Sequence, residues 1–276
     1  MFSYNFKKIM KKVIWTIVLA GMCAAMFFGY RYADKVCREY LDAPFSVDLV
    51  VDQLEQMTEG EKLPPGKWSY GIDISHHQPV IRWSGLKILV DENGKTVWRK
   101  SRSVKEHSVD YVFMKATEGE SFKDWRFRRR WRLASKYGLR RGAYHFFRPG
   151  KDASLQVENF ISHVGNLSPD DFPPVLDIEK MDGCSVEQLN RRALEWLKAI
   201  EKHYGRKPIV YANPHYLNNV ISHEITAAYP IWVANYKVSR PSVGGWKFWQ
   251  FTDRALVRGA GSVDLNVMRC STVLLL

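Results

Sequence analysis

The sequence predicts an α/β protein: an irregular, TIM-like barrel of eight strands preceded by an N-terminal transmembrane helix. Eight short apolar or alternating runs recur after Trp68, helical periodicity separates the earlier runs, and an uncharged apolar run lies near the N-terminus. Strands that alternate with helices pair in parallel, and eight such strands close into a barrel. Functional groups then collect at the carboxyl ends of the strands.

The N-terminal apolar run spans residues 13–30 and follows four lysines between residues 7 and 12. Its length meets the lower limit for a membrane-spanning helix, and the charge before it places the N-terminus in the cytoplasm. We expect residues 1–30 to form a basic tip and an anchor, with a signal peptide cleaved near Cys23-Ala24-Ala25 as the alternative. We expect a stalk over residues 31–66 and the barrel domain over residues 67–276.

The predicted strands are the runs YGIDIS, VDYVFMKA, GAYHFF, PPVLDIE, PIVYAN, PIWVANY, WKFWQFT and VDLNVM. Helical periodicity predicts helices over residues 124–137, 152–164 and 186–204, with Gly138 and Gly205 as two C-terminal stops. After Pro230 the connecting segments are too short for crossover helices, which predicts an irregular last third of the barrel. From about 85 to 105, two β-prone runs around Asn93-Gly94 predict an inserted hairpin.

Composition limits the function without identifying it. The chain has 41 Lys and Arg against 29 Asp and Glu, a formal charge of +12, which suits nucleic acids, anionic membranes or acidic polymers alike. The sequence has no zinc-type cysteine cluster, Walker loop or nucleic-acid-binding module, so we expect no metal, no cofactor and no nucleic acid partner. Cys184 and Cys270 either form a disulfide in an oxidising compartment or remain free thiols.

Two acids end the predicted strand PPVLDIE. Asp177 and Glu179 are two residues apart, so an extended strand directs both side chains to the same face. Neighbouring carboxyl groups in a buried site cannot easily both ionise, which separates a proton donor from a charged partner, as glycoside cleavage requires. Asp73 ends the first predicted strand and should reach the same rim. Three acids from two strands favour a catalytic site over isolated caps or ion pairs.

Aromatic and polar side chains at strand ends are candidates for sugar binding. The aromatic candidates are Tyr144, Phe146, Phe147, Tyr211, Trp232, Tyr236, Trp249 and Phe251, and the polar ones are His145, Asn213, Asn235 and Gln250. From these we expect substrate contacts from Tyr144, His145, Phe147, Tyr211, Asn213, Trp232, Tyr236 and Gln250. His76 and His77 are expected to be structural or solvent-facing, because no third ligand lies at a metal-binding spacing.

The segment from about Trp68 to Met268 resembles the glycoside hydrolase family 25 lysozymes, the Chalaropsis-type N-acetylmuramidases. The motifs that carry the resemblance are GIDISHHQ, FMKATEGESFKD, GLRRGAYHFFRP, PPVLDIE, PIVYAN, IWVANY, FWQFTD and VDLN, in the family's order and approximate spacing. The resemblance implies a (β/α)5(β)3 barrel. It also implies hydrolysis of the β-1,4 bond between N-acetylmuramic acid and N-acetylglucosamine in peptidoglycan.

The same motifs imply roles for four acids. Glu179 matches the general acid, Asp177 the neighbouring carboxylate, Asp73 the acid of the first strand and Asp264 a fourth acid in the last strand. Asp264 begins its strand, so it reaches the active face only if that strand runs antiparallel to most others. Because Asp177 and Glu179 lie side by side, we expect the substrate's own 2-acetamido group to act as the nucleophile. The alternative is attack by a carboxylate of the protein. Glu179 is expected to have the higher pKa of the two.

Two rival functions are a cell-wall-binding module with a degenerate site and a hydrolase of another amino sugar polymer. The expected partners are peptidoglycan glycan strands, with membrane contact through the N-terminal helix and a monomeric state. The expected location is the cell envelope, with the catalytic domain outside the cytoplasmic membrane or secreted after signal cleavage.

Overall fold

A computed structural model describes residues 60–78 and 80–269. The predicted anchor, most of the predicted stalk and Cys270 lie outside these residues. Within them, no helix is both long and apolar enough to cross a bilayer. Residues 60–66, the end of the predicted stalk, contact the rest of the described chain: Lys62 forms a β-bridge with Lys95, and Leu63 N donates to Gly94 O at 3.0 Å.

The strands and helices follow one another along the chain from Trp68. The strands are β1 (Trp68–Ile74), β2 (Lys87–Val90), β3 (Thr96–Val97), β4 (Lys105–Ser108), β5 (Tyr111–Glu118), β6 (Phe122–Lys123), β7 (Arg140–Phe146), β8 (Val175–Asp177), β9 (Ile209–Ala212), β10 (Ile231–Ala234), β11 (Phe248–Val257) and β12 (Gly261–Arg269). The α-helices are α1 (Phe127–Lys136), α2 (Ala153–Val164), α3 (Val186–Tyr204), α4 (Pro214–Asn219) and α5 (His223–Ala228).

Eight of these strands form a closed barrel in the order β1-β12-β11-β10-β9-β8-β7-β5, and β5 pairs with β1 to complete the ring. They are the eight runs that the sequence predicts as strands, so the α/β barrel is confirmed. Neighbouring strands are parallel except at β12, which is antiparallel to both β1 and β11. This reversal meets the condition that Asp264 needs in order to face the same rim as Asp73.

The three predicted helices begin and end close to their expected residues. Asp152 caps α2 by accepting from Leu155 N at 3.0 Å, and Ser185 and Gln188 form a capping box at the start of α3. Gly205 ends α3 in the left-handed conformation, where a side chain would be strained. The segments between β10 and β12 carry no α-helix, as their lengths predict.

The first connection departs from the regular (β/α)5 pattern. Between β1 and β5 the chain forms a 3-10 turn at Trp83–Gly85 and a three-stranded antiparallel sheet, in the order β3-β2-β4, instead of an α-helix. The pair β2-β3 is a hairpin around Asn93-Gly94, with Gly94 at a φ of 79°. The sheet packs against the barrel domain through Thr96, whose Oγ1 accepts from Leu256 N of β11 at 3.1 Å.

Large aromatic rings fill the lower part of the barrel interior. Phe113 stacks on Trp232 with ring centroids 4.5 Å apart, and Tyr111 meets Phe113 edge to face. Glycines on the flanking strands make room for these rings, since a Cβ at Gly142 would lie 2.3 Å from the Phe113 ring and one at Gly71 would lie 2.1 Å from Tyr111. The floor below the active rim is therefore apolar and closely packed.

Candidate active site

Strand pairing brings the first and last acids of the site together. Asp73 near the end of β1 and Asp264 in β12 are direct Cα partners in the antiparallel pairing. Directly opposite residues on antiparallel strands have Cβ atoms about 4.5–5.5 Å apart, so the two carboxyl groups can share a proton. The two carboxyl groups hydrogen-bond to each other.

A chain of donors fixes the orientation of the Asp73 carboxylate. Trp232 Nε1 donates to Asn266 Oδ1 at 2.9 Å, and Asn266 Nδ2 donates to Asp73 Oδ2 at 2.7 Å. Gln250 Nε2 donates to the same oxygen at 2.8 Å. An indole N–H can only donate, so it sets the direction of the Asn266 amide and makes Asp73 an acceptor. Asp73 is therefore held as the charged member of its pair.

Gln250 connects this acid to two aromatic side chains. Its Oε1 accepts from Tyr211 Oη at 2.8 Å and from Tyr236 Oη at 2.5 Å. The oxygen and the nitrogen of the Gln250 amide are thus both hydrogen-bonded, since the nitrogen donates to Asp73. The positions of the two tyrosine rings and of the acid are therefore linked through one side chain.

The protonation of the Asp73–Asp264 pair follows from these contacts. Burial, and after it the charge of Asp73, together raise the pKa of Asp264 to about 9. Burial raises the pKa of Asp73 above its usual value as well, although hydrogen bonds from Asn266 and Gln250 oppose this rise. At neutral pH the shared proton therefore resides on Asp264, which donates to an ionised Asp73.

Asp177 is the last residue of β8 and Glu179 lies two residues beyond it. β8 is opposite β12 in the barrel ring, and both carboxyl groups face the same cavity as Asp73 and Asp264. Asp177 is 7% exposed, and its Oδ1 is buried with no hydrogen-bond partner among the described residues. Burial raises the pKa of Asp177 well above its usual value, and the charge of Glu179 adds to this, whereas Lys115 opposes it. The structure therefore favours a proton on Asp177, and the expectation that Glu179 has the higher pKa stays a prediction.

The cavity that joins these acids has a volume of about 280 Å³ and opens at the carboxyl ends of the strands. It contains all four predicted acids and five of the eight predicted substrate-binding residues. Its lining residues are Asp73, Ser75, His77, Lys115, Tyr144, Phe146, Asp177, Glu179, Tyr211, Trp232, Tyr236, Gln250 and Asp264. The sheet formed by β2, β3 and β4 contributes none of them.

Three predicted substrate-binding residues do not face the cavity. His145 is fully buried, hydrogen-bonds Thr117 at 2.7 Å and stacks on Trp196 of α3, because successive residues of β7 face opposite sides and Tyr144 takes the inner one. Phe147 is fully buried in the core cluster outside the barrel lumen. Asn213 caps α4 by accepting from Tyr216 N at 3.0 Å, so its side chain is committed to the helix start.

Several residues of the site were not selected from the sequence. Lys115 is nine-tenths buried and pairs with Glu118 at 2.6 Å; a lysine inside the apolar run VFMKA was a signal that could have identified it. Asn266 could have been found as the residue two positions after Asp264 on the same strand face. His77, expected to be structural or solvent-facing, is exposed and lines the cavity.

Over the part of the chain that the structure describes, no group of His, Cys, Asp or Glu has a metal-binding arrangement.

The chain is similar to a known protein family, to curated proteins and to a solved structure. Residues 72–260 match the sequence profile of the family described as Glycosyl hydrolases family 25. Lysozyme M1 of Streptomyces globisporus is 32% identical over 222 residues, covering 75% of this chain and 69% of that protein. Protein YegX of Escherichia coli (strain K12) is 37% identical over 209 residues, covering 75% and 71% of the two chains. The crystal structure of the bacterial lysozyme from Streptomyces coelicolor matches with a TM-score of 0.65 at 29% identity, covering 76% of this chain and 97% of that one.

Proposed function

Because the chain belongs to the glycosyl hydrolases family 25, we propose that it is a muramidase. Its reaction is hydrolysis of the β-1,4 bond between N-acetylmuramic acid and N-acetylglucosamine in peptidoglycan. The observation that carries the proposal is the convergence of four acids on one cavity at the carboxyl rim of the barrel. The similarity to Lysozyme M1 and to the Streptomyces coelicolor lysozyme supports the same substrate.

Glu179 is the proposed proton donor to the leaving oxygen. It lines the cavity and is half-buried, so it can reach both substrate and solvent, and it follows Asp177 by two residues. A general acid must lie within hydrogen-bond reach of the glycosidic oxygen and regain a proton after each cycle. Of the two carboxyl groups, Glu179 has the better access to water for that return step.

Asp177 is the proposed partner of the substrate's 2-acetamido group. Its Oδ1 is buried and accepts no hydrogen bond from the described residues. An amide N–H placed against this oxygen would donate to it and favour its charged form, which counteracts the burial that raises its pKa. Substrate binding would thus move the proton preference away from Asp177 and leave Glu179 as the acid. Orienting the acetamido oxygen toward the anomeric carbon would then assist cleavage without a carboxylate nucleophile.

Release of soluble muropeptides from purified peptidoglycan tests the activity. The wild-type protein should release them, and Glu179→Gln should not, while the exposed acid substitution Glu158→Gln serves as a matched control. Normal release by Glu179→Gln would remove Glu179 from the mechanism. Mass spectrometry of intact protein trapped with a slow substrate tests the second step, and a glycosyl adduct on Asp177, Asp73 or Asp264 would replace the substrate-assisted route by a covalent one.

The rival functions give different outcomes in the same assay. A degenerate binding module would sediment with peptidoglycan but release nothing, and a hydrolase of another amino sugar polymer would degrade chitin in preference to peptidoglycan. Reducing-end analysis of the products identifies the bond, because a muramidase leaves N-acetylmuramic acid at the new reducing end.

We further propose that residues 13–30 anchor a monomeric enzyme in the cytoplasmic membrane, with the barrel on the outer side. The uncharged run and the lysines before it support this arrangement. Membrane fractionation tests it: an anchored protein stays in the membrane pellet after alkaline extraction, whereas a cleaved signal peptide gives a shorter soluble product. Light scattering of the detergent-solubilised protein tests the monomeric state.

A further inference from the structure

A short hairpin at the carboxyl end of β5 stands beside the catalytic cavity. Strand β6 pairs antiparallel with the end of β5, so that Phe122 lies opposite Glu118. The carboxyl end of β5 belongs to the same rim as Asp177 because β5, β7 and β8 are parallel neighbours. The proposed mechanism assigns nothing to Phe122, although its side chain is 40% exposed.

The Phe122 ring is continuous with the cavity through two histidines and a lysine. Its centroid lies 5.4 Å from that of His76, which lies 4.1 Å from that of His77, a residue that lines the cavity. Lys115 also lines the cavity, and its Nζ lies 5.5 Å from the Phe122 ring. A surface of flat rings therefore extends from the cavity along the loops that follow β1 and β5.

Buried polar contacts hold this surface in place. Asn159 of α2 donates to Gly119 O at 2.9 Å and to Phe122 O at 3.1 Å, which fixes the β5-β6 hairpin. Asp124 is almost fully buried and accepts from His76 N at 2.6 Å, which ties the loop after β1 to the segment after β6. A surface whose backbone is already fixed loses little conformational entropy when a ligand binds.

We propose that Phe122, His76 and His77 form a sugar-binding surface that extends the catalytic cavity and holds a further saccharide unit of the glycan strand. This rests on the proposed function. A pyranose ring has an apolar C–H face that packs on an aromatic ring and a hydroxyl edge that hydrogen-bonds to neighbouring groups, here the two imidazoles. A cavity of about 280 Å³ is too small for a glycan polymer, so a polymeric substrate must continue over a neighbouring surface. The surface around Phe122 is continuous with the cavity and offers stacking and hydrogen-bonding groups together.

The test compares Phe122→Ala with wild-type protein on glycan substrates of increasing length. We expect the KM of Phe122→Ala to rise by about 3- to 10-fold on long strands, the effect expected for loss of one aromatic stacking contact, with a smaller rise on the shortest cleavable oligosaccharide. Phe122→Trp should restore the KM on long strands. Tyr137→Ala is the matched control, because Tyr137 is an aromatic residue with a similar exposure, 45%, at the other end of the barrel. An equal loss at every length, or no loss at any length, would overturn the proposal.

A binding measurement separates this proposal from the proposed function. Sedimentation with insoluble peptidoglycan is measured for Glu179→Gln alone and combined with Phe122→Ala, so that no turnover is needed. Weaker sedimentation of the double variant supports the sugar-binding surface even if the wild-type protein releases no muropeptides, which would refute only the muramidase activity. Equal sedimentation of the two, together with active wild-type protein, would refute the surface and leave the muramidase in place.

Discussion

Asp264→Asn is expected to remove most of the pH dependence of stability that the buried acid pair produces. An asparagine amide can donate to Asp73 as the protonated Asp264 does, but it does not titrate. The substitution therefore keeps the contact between β12 and β1 and deletes only the proton equilibrium. Any change in stability that varies with pH can then be assigned to Asp264.

The sign and size follow from the pKa of Asp264, which is about 9 in the folded protein against about 3.9 for an unfolded aspartate. The folded state holds a proton that the unfolded chain releases. The contribution of this proton to the free energy of unfolding is therefore fully present below about pH 3.9 and is lost as the pH rises toward 9. The fall is about 1.4 kcal/mol per pH unit, or about 4 kcal/mol from pH 5 to pH 8 as an upper limit. Because Asp73 shares the proton, we expect about 2 kcal/mol.

Urea denaturation at pH 5, 6, 7 and 8 measures this effect. The free energy of unfolding of Asp264→Asn should rise relative to that of the wild-type protein by about 2 kcal/mol across this range, and Glu158→Gln should show no such trend. If the difference between Asp264→Asn and wild type is constant from pH 5 to pH 8, Asp264 does not carry the proton and the reasoning about the pair is wrong.

Three other substitutions test separate parts of the structure. Gly142→Ala places a Cβ 2.3 Å from the Phe113 ring and should lower the free energy of unfolding by about 1–3 kcal/mol; an unchanged urea midpoint would show that the barrel interior has room. Gln250→Leu removes the donor to Asp73 and the acceptor of two tyrosine hydroxyls, and each group left unpaired should cost about 1–3 kcal/mol in the same measurement. Glu179→Gln should lower the rate of muropeptide release by about 10²- to 10⁴-fold with an unchanged thermal midpoint, and a matching loss of stability would argue for a structural role instead.

The sequence predicts the barrel well because most strands combine an apolar run with a nearby Pro or Gly. The same local signals predict the hairpin of β2 and β3 around Asn93-Gly94. They do not show that β4 joins it, since Lys87–Val90 and Lys105–Ser108 pair across 15 or more residues. That pairing depends on nonlocal contacts such as Thr96 with Leu256, which no periodicity in the segment reveals. The result is a three-stranded sheet where the regular pattern has a helix.

The structure brings all four predicted acids to one cavity, but only five of the eight predicted substrate-binding residues line it, and Lys115 was not selected. Asp177 and Glu179 were selected because their two-residue spacing directs both side chains to one strand face, with Asp73 expected at the same rim. Tyr144 and His145 are adjacent in one strand, so their side chains face opposite sides and only one of them can enter the barrel. The sequence does not show which of the two faces inward. His145 faces outward to the helices, where it is buried and hydrogen-bonded to Gln156, as expected of a structural core residue.

The reversed last strand also has a consequence for the newly made enzyme. β12 supplies Asp264 and Asn266 and pairs with the first barrel strand, so that Trp68 lies opposite Arg269 across 200 intervening residues. A chain still emerging from the ribosome has no fourth acid, no donor from Asn266 to Asp73 and two unpaired strand edges, on β1 and β11. The four proposed catalytic acids therefore come together only after β12 has been synthesised and the ring has closed. Chains shortened before β12 should accumulate as inactive, aggregation-prone products instead of partially active ones.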